Sequence, residues 1–145
     1  MKVRDCMTKN VVCVGAQEPV SVAARLMYRY NLGALPVQGA DGRLAGVLTD
    51  RDVVLRCVAP ERQAGQLRVK DIMSAGVVSV RPDEQVAQAA SLMAARQLRR
   101  LPVAQDGRLV GIVSHVAELR DRIGRQIIVK NLPEGGSAAR LVIEE

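Results

Sequence analysis

A threonine and an aspartate three residues apart form the pair in this chain with the clearest capacity for chemistry. Thr49 and Asp52 follow the apolar residues 44–48 and precede Val53 and Val54, so we expect them where a strand ends and a helix begins. A hydroxyl beside the free N–H groups of a helix start can cradle a phosphate, and a carboxylate on the same helix face can accept both hydroxyls of a ribose. The same Thr-x-x-Asp spacing is also that of a helix-capping pair, and one residue can do both jobs.

The elements that must position this pair occur twice along the chain. Residues 3–7 (VRDCM) return as 69–73 (VKDIM), and each copy continues with a valine pair, an apolar helical stretch, a Leu-Pro-Val triplet and an Asp-Gly-Arg-Leu turn. A unit of this size cannot bury its apolar face alone, so the copies are expected to pack about a pseudo-twofold axis and share one core. A ligand would sit in the cleft between them.

Each copy predicts the element order β-α-β-β-α, which makes the fold class α+β. The first strand is predicted at 11–14 in one copy and at 77–80 in the other, and Asp83 is the predicted N-cap of the second copy's first helix. An Asp-Gly turn joins the next two strands in each copy as a hairpin. The predicted boundaries are 1–58 for repeat one, 59–68 for a polar linker, 69–122 for repeat two and 123–145 for a C-terminal extension.

The extension has the pattern of a β-hairpin. Apolar residues at 126–130 and 140–143 flank a turn-rich stretch that contains Pro and Gly. A flexible tail is the alternative interpretation.

Composition narrows the classes of function. The chain has 145 residues and a formal charge of +6, which favours an anionic partner. Only 1% of its residues are aromatic, so few rings are available to stack on nucleic-acid bases.

Three cysteines without a Cys-x-x-Cys pair and a single histidine, His115, do not make a metal-ligand set. No nucleophile and base are paired in the sequence, so we predict a protein that is not an enzyme. No apolar run suits a membrane span or secretory signal, which predicts a cytoplasmic protein.

The repeated motifs resemble a tandem pair of CBS domains over roughly residues 3–120. The resemblance depends on the two opening segments, the Leu-Pro-Val triplet in both copies and residues 46–52 (GVLTDRD) closing the first. It implies a disc-like pair with two clefts that bind adenosine compounds, with Asp52 holding a ribose and its neighbours Thr49 and Arg51 beside it. Val12, Ala34, Leu35 and Pro36 are then expected to line a cleft, where the small residues Gly33 and Ala34 would leave room for a base.

The two copies differ at the positions that the resemblance marks as functional. Repeat two has Ser114 and His115 followed by Val116 and Ala117, so it keeps the hydroxyl but lacks the carboxylate of Asp52. The second cleft is then either empty, or takes another ligand, or uses His115 as a contact. Conversely, Arg99 and Arg100 precede the second Leu-Pro-Val triplet, and a basic residue there reaches phosphate in nucleotide-binding relatives. A solvated basic patch is the alternative.

These observations predict a regulatory module that senses AMP, ADP or ATP mainly at the Asp52 cleft and signals by conformational or oligomeric change. S-adenosylmethionine is a further candidate ligand. The predicted partners are a second copy of the chain, as a homodimer, and a regulated protein that no motif identifies. A purely structural dimerisation module without bound nucleotide is the alternative, whereas nucleic-acid binding has only the dispersed basic charge to support it.

Overall fold

The first repeat is a three-stranded sheet with helices packed against it. The computed structural model describes residues 1–114 and the backbone of residues 125–131 and 137–143. The elements of repeat one are β1 (Val14–Gly15), α1 (Val20–Tyr30), β2 (Ala34–Gln38), β3 (Leu44–Thr49) and α2 (Asp50–Val53). Strand β1 pairs parallel with β2, β2 pairs antiparallel with β3, and α2 continues into a π-helical segment, Val54–Val58.

The second repeat follows the same plan with a shorter first strand. Val80 alone takes the place of β1, through a parallel bridge to Val103. The predicted helix after Ser114 falls outside the described residues. The elements are α3 (Val69–Ile72), α4 (Val86–Arg96), β4 (Arg100–Gln105) and β5 (Arg108–Ser114), with the 3-10 helix Val3–Asp5 as the first repeat's counterpart of α3.

The C-terminal extension contains the predicted hairpin. Strand β6 (Arg125–Asn131) pairs antiparallel with β7 (Ser137–Ile143), from Arg125 opposite Ile143 to Asn131 opposite Ser137. The α+β class is thus confirmed, and repeat one has the predicted β-α-β-β order, whereas in repeat two the first strand is reduced to the bridge at Val80. Within the described part of the chain, no helix is long and apolar enough to cross a membrane.

Two local predictions were wrong. The strands predicted at 11–14 and 77–80 shrink to Val14–Gly15 and the single residue Val80, because the valine pairs before them line clefts between the repeats instead of joining a sheet. Asp83 does not cap α4, since its carboxylate forms an ion pair with Arg81 at 2.9 Å. Gln85 is the N-cap residue, and its N–H donates to Gln88 Oε1 at 3.1 Å.

The hydrophobic core is divided in two, in contrast to the single shared core expected from the repeat. Each cluster includes the opening segment of the other repeat: Val69 and Ile72 are buried with the α1 and β2 side chains of repeat one, while Val3 and Cys6 are buried with those of α4 and β4. The two repeats therefore interlock by exchanging equivalent segments.

Backbone hydrogen bonds fix this exchange at two equivalent places. Val47 and Ser74 donate to each other's carbonyls at 3.0 Å, and Ile112 and Thr8 do the same at 3.0 and 2.9 Å. These bonds hold the end of each opening segment against the last strand of the other repeat, which is the strand that leads into the predicted ligand site.

Candidate functional site

A cavity of about 500 Å³ lies between the two repeats. A cleft of this size with mostly apolar walls and a few polar groups is typical of a small-molecule site. Repeat one contributes the ends of its strands, and repeat two contributes the segment after α3 and the start of β4. The lining residues are Gly33, Ala34, Val47, Thr49, Ser74, Ala75, Gly76, Val77, Val78, Leu98, Arg99, Arg100 and Pro102.

Thr49 enters this cavity from the junction of β3 and α2. It is the N-cap residue of α2, and its Oγ1 accepts the N–H of Asp52 at 3.1 Å. Asp52 Oδ2 in turn accepts the N–H of Thr49 at 3.0 Å, which completes a capping box. The capping interpretation of the Thr-x-x-Asp pair is therefore realised, and it fixes the carboxylate of Asp52 beside Thr49.

Asp52 itself is half-buried and is not among the side chains that line the cavity. Its capping bond uses Oδ2, and Oδ1 makes no hydrogen bond within the described residues. Asp50 lies on the other side of Thr49, where a methyl group added to Gly33 would come within 3.6 Å of Asp50 Oδ2. The carboxylate of Asp50 therefore lies close to Gly33, which lines the repeat-one end of the cavity.

Arg99 and Arg100 lie on the repeat-two wall of the same cavity, where α4 gives way to β4. The chain reverses at Gln97, which ends α4 in a left-handed conformation with φ of 54°. Both arginine side chains are exposed, and neither contacts a carboxylate within the described residues. The structure therefore brings Thr49, Arg99 and Arg100 into one cavity from both repeats, with guanidinium groups open to an anion.

A second cavity of about 300 Å³ is the counterpart of the first across the pseudo-twofold axis. Ser114 takes the place of Thr49, and the valine pair of repeat one takes the place of Val77 and Val78. His115, the other residue predicted for this cleft, lies outside the described residues. The lining residues are Thr8, Asn10, Val11, Val12, Leu32, Ala34, Arg100, Ile112 and Ser114.

Besides Asp52, three residues of the predicted site line neither cavity. Leu35 is fully buried in the first hydrophobic cluster, and Pro36 is buried beside it in β2. Arg51 is exposed in the first turn of α2. Side chains alternate between the two faces of a strand, so Leu35 points to the core while its neighbour Ala34 lines both cavities.

Sequence reasoning missed the segment that forms much of the first cavity's wall, residues 74–78. Gly76 turns this segment with φ of 71°, a conformation that favours glycine. The signal was the repeated valine pair, which we took for a strand. In the second cavity, Thr8 and Asn10 were missed for the same reason.

The cysteines do not form part of either cavity. Cys6 and Cys57 are buried, and burial raises the pKa of the half-buried Cys13 thiol, which keeps it protonated at neutral pH. Within residues 1–114, no group of three or more His, Cys, Asp or Glu residues is placed to hold a metal ion.

Comparison with known proteins agrees with this architecture. The CBS domain family matches the chain twice, over residues 3–58 and 69–116. The CBS domain-containing protein YhcV of Bacillus subtilis is 44% identical over 112 residues, which cover 77% of this chain and 79% of that protein. The chain therefore belongs to the CBS domain family, and its two repeats are a tandem CBS pair.

Two solved structures share this fold. The crystal structure of Hypoxic Response Protein I with two coordinated zinc ions has a TM-score of 0.76 and 33% identity, covering 85% of this chain and 99% of that one. The CBS pair of protein MJ0100 in complex with 5'-methylthioadenosine and S-adenosylmethionine has a TM-score of 0.68 and 26% identity, covering 79% of this chain and 90% of that one. An adenosine-ligand complex is thus known for a protein of this fold.

Proposed function

We propose that this CBS pair is a regulatory module that binds an adenosine nucleotide, AMP, ADP or ATP, in the cavity lined by Thr49, Arg99 and Arg100. The observation that carries the proposal is the placement of two exposed arginines opposite the capped start of α2 across one cavity of about 500 Å³. The MJ0100 complex supports the adenosine part of the ligand.

The chemistry of the walls suggests how such a ligand would lie. Apolar side chains such as Val77 and Val78 suit the faces of a base, and the free Oδ1 of Asp52 can accept a ribose hydroxyl while Oδ2 keeps its capping bond. The guanidinium groups of Arg99 and Arg100 suit a phosphate, because each offers several donors and a full positive charge.

These charges also favour one class of adenosine ligand over another. S-adenosylmethionine has a net positive charge at neutral pH, because its sulfonium and ammonium groups outweigh its one carboxylate, whereas AMP, ADP and ATP have a net negative charge that two neighbouring guanidinium groups attract. We therefore expect calorimetric titration of the full chain to show tighter binding of the nucleotides than of S-adenosylmethionine. Binding of no adenosine compound at all would contradict the proposal.

The role of Asp52 has a matched control within the chain. Asp71 closes an equivalent cap, with Arg68 N–H donating to Asp71 Oδ2 at 3.1 Å, but Arg68 lines neither cavity, whereas Thr49, the capping partner of Asp52, lines the first. We predict that Asp52→Ala weakens AMP binding by about 1–3 kcal/mol, while Asp71→Ala loses a similar cap without affecting binding. Thermal melts of both variants check that the fold survives, and equal AMP affinity in the two would disprove the ribose contact.

A structural dimerisation module is the second candidate, and an exposed apolar surface supports it. We define the dimer surface as Tyr28, Val54, Leu55 and Val58, of which Tyr28 is 91% and Val58 61% exposed. The inner faces of the two long helices are not available for such contact, because Ala23, Met27, Ala89 and Met93 are at most 8% exposed. A homodimer would therefore form through the end of repeat one's helices.

Light scattering of the full chain tests this surface. We expect a dimer mass for the natural chain at micromolar concentration and a monomer mass for Leu55→Glu, because a buried unpaired carboxylate opposes association. Ala40→Glu, at an exposed position in the first hairpin turn, is the control and should stay dimeric. A monomeric natural chain, with or without AMP, would rule out the dimer.

A further inference from the structure

Among residues 1–114, two residues line both cavities, and one of the two is charged. Ala34 and Arg100 each occur in the wall of the first cavity and in the wall of the second. They are equivalent in the repeat, since each is the first residue of its strand and precedes Leu-Pro-Val. The wall between the cavities is therefore formed by one alanine and one arginine.

The strand register explains why this position faces both ways. Ala34 is paired with Thr49 and Arg100 with Ser114, so each stands beside the hydroxyl that marks its own repeat's cavity. Each also reaches the cavity marked by the other repeat's hydroxyl, across the pseudo-twofold axis. A symmetric pair would have a guanidinium for each cavity, but this chain has a single one at the shared position.

We propose that the two cavities compete for the guanidinium of Arg100, so that anionic ligands bind to them anti-cooperatively. This inference depends on the proposed nucleotide function and adds a rule for its regulation. Of the cationic side chains in residues 1–114, a phosphate in the first cavity can use both Arg99 and Arg100, whereas a phosphate in the second can reach only Arg100. When the first cavity holds a phosphate, the second loses its cation and faces a nearby like charge.

Neutral ligands are not subject to this competition. Adenosine has no phosphate, so occupation of one cavity leaves the guanidinium of Arg100 free and adds no charge beside the other. The structure thus couples the cavities by charge and not by shape. A coupling of this kind typically changes affinity by about 5- to 150-fold.

Methyl NMR of the full chain can follow each cavity separately, with Val78 reporting on the first and Val12 on the second. Ala75→Trp blocks the first cavity from an exposed position that does not line the second. We expect AMP to saturate the Val12 signal at a concentration about tenfold or more lower in Ala75→Trp than in the natural chain. The adenosine concentration that half-saturates Val12 should be the same in both proteins.

Two arginine variants identify the residue responsible. Ala75→Trp is expected to lower the AMP concentration that saturates the Val12 signal. Adding Arg100→Ala should abolish this change, while adding Arg99→Ala should preserve it, because Arg99 lines the first cavity only.

Val12 titrations by AMP that coincide in the natural chain and Ala75→Trp would overturn the competition. So would AMP binding that shifts Val78 but never Val12, although the proposed function would then stand. Failure of both AMP and adenosine to shift either signal would overturn the two proposals together.

Discussion

The two hydrophobic clusters are built alike, since each includes the opening segment of the other repeat, which we call its borrowed segment. The two borrowed segments differ in the side chains that they bury. The first cluster takes Leu67, Val69 and Ile72 from the segment that opens repeat two. The second takes Val3 and Cys6 from the segment that opens repeat one. Side chains at equivalent positions of the two segments therefore differ in buried volume, as Ile72 and Cys6 show most clearly.

This difference shows which half depends more on the exchange. A fully buried isoleucine removes much more apolar surface from water than a cysteine does, so the segment after the linker contributes more to its host cluster than the N-terminal segment contributes to its own. The first cluster also forms the base of β3 and α2, which carry Thr49 and Asp52. Repeat one, whose helix α2 is capped at the first cavity, is thus the half that gains more from the exchange.

The largest expected effect is the loss of that buried isoleucine. Ile72→Ala should lower the free energy of unfolding by about 2–5 kcal/mol, because the cavity it leaves cannot collapse completely. Cys6→Ala at the equivalent position should cost only about 1 kcal/mol. Urea unfolding of both variants measures the difference, and equal costs would mean that the two borrowed segments contribute alike.

Two equivalent glycines test how firmly the borrowed segments are held. A Cβ on Gly46 would lie 2.7 Å from the Ser74 carbonyl oxygen, and one on Gly111 would lie 2.9 Å from that of Thr8. Gly46→Ala should destabilise by about 1–3 kcal/mol, as overpacking does. Gly111→Ala should cost less, because its added methyl group would lie 2.9 Å from the facing carbonyl oxygen, against 2.7 Å at Gly46.

Hydrogen exchange supplies the independent measurement. In Gly111→Ala, the amide of Thr8 should exchange faster while the amide of Ser74 keeps its protection, since each donates to the other repeat's last strand. Loss of protection at both amides in Gly111→Ala would show that the two borrowed segments open together as one unit and are not held separately.

Local signals in the sequence were enough to predict the repeats and hairpins but not the exchange. The Asp-Gly turns specify their own geometry, with φ of 78° at both Gly42 and Gly107. The opening segments VRDCM and VKDIM, in contrast, have nearly the same pattern, so either would fit either cluster. Which cluster each enters depends on the path of the whole chain, which no local pattern encodes.

The candidate site was predictable to a similar degree. Thr49, Arg99 and Arg100 were expected in one cleft, and the structure places them there. Leu35 was misplaced because a strand triplet does not reveal which of its residues faces a ligand. The role of Arg100 at both cavities could not be inferred either, since it follows from the distance between two hairpins and not from any spacing along the chain.

The smallest effect concerns a thiol that distinguishes repeat one from repeat two. Cys13 is half-buried, whereas its counterpart Ser79 is exposed and does not titrate. Burial raises the pKa of the Cys13 thiol, so the folded protein holds this proton more tightly than the unfolded chain, whose thiols titrate near pH ~8.5. The resulting stability is fully present below the unfolded pKa and is lost as pH rises through the folded pKa.

Cys13→Ser makes repeat one like repeat two at this position and should remove that alkaline loss. Urea unfolding between neutral pH and pH ~10 should show a shallower decline for the variant than for the natural chain. Mass-spectrometric mapping of iodoacetamide alkylation gives a second readout, in which Cys13 should react with a pH midpoint above that of a free cysteine, because only the thiolate is nucleophilic. A midpoint at or below the free value would show that burial does not protect this thiol, and the two repeats would then differ here in chemistry as well as in packing.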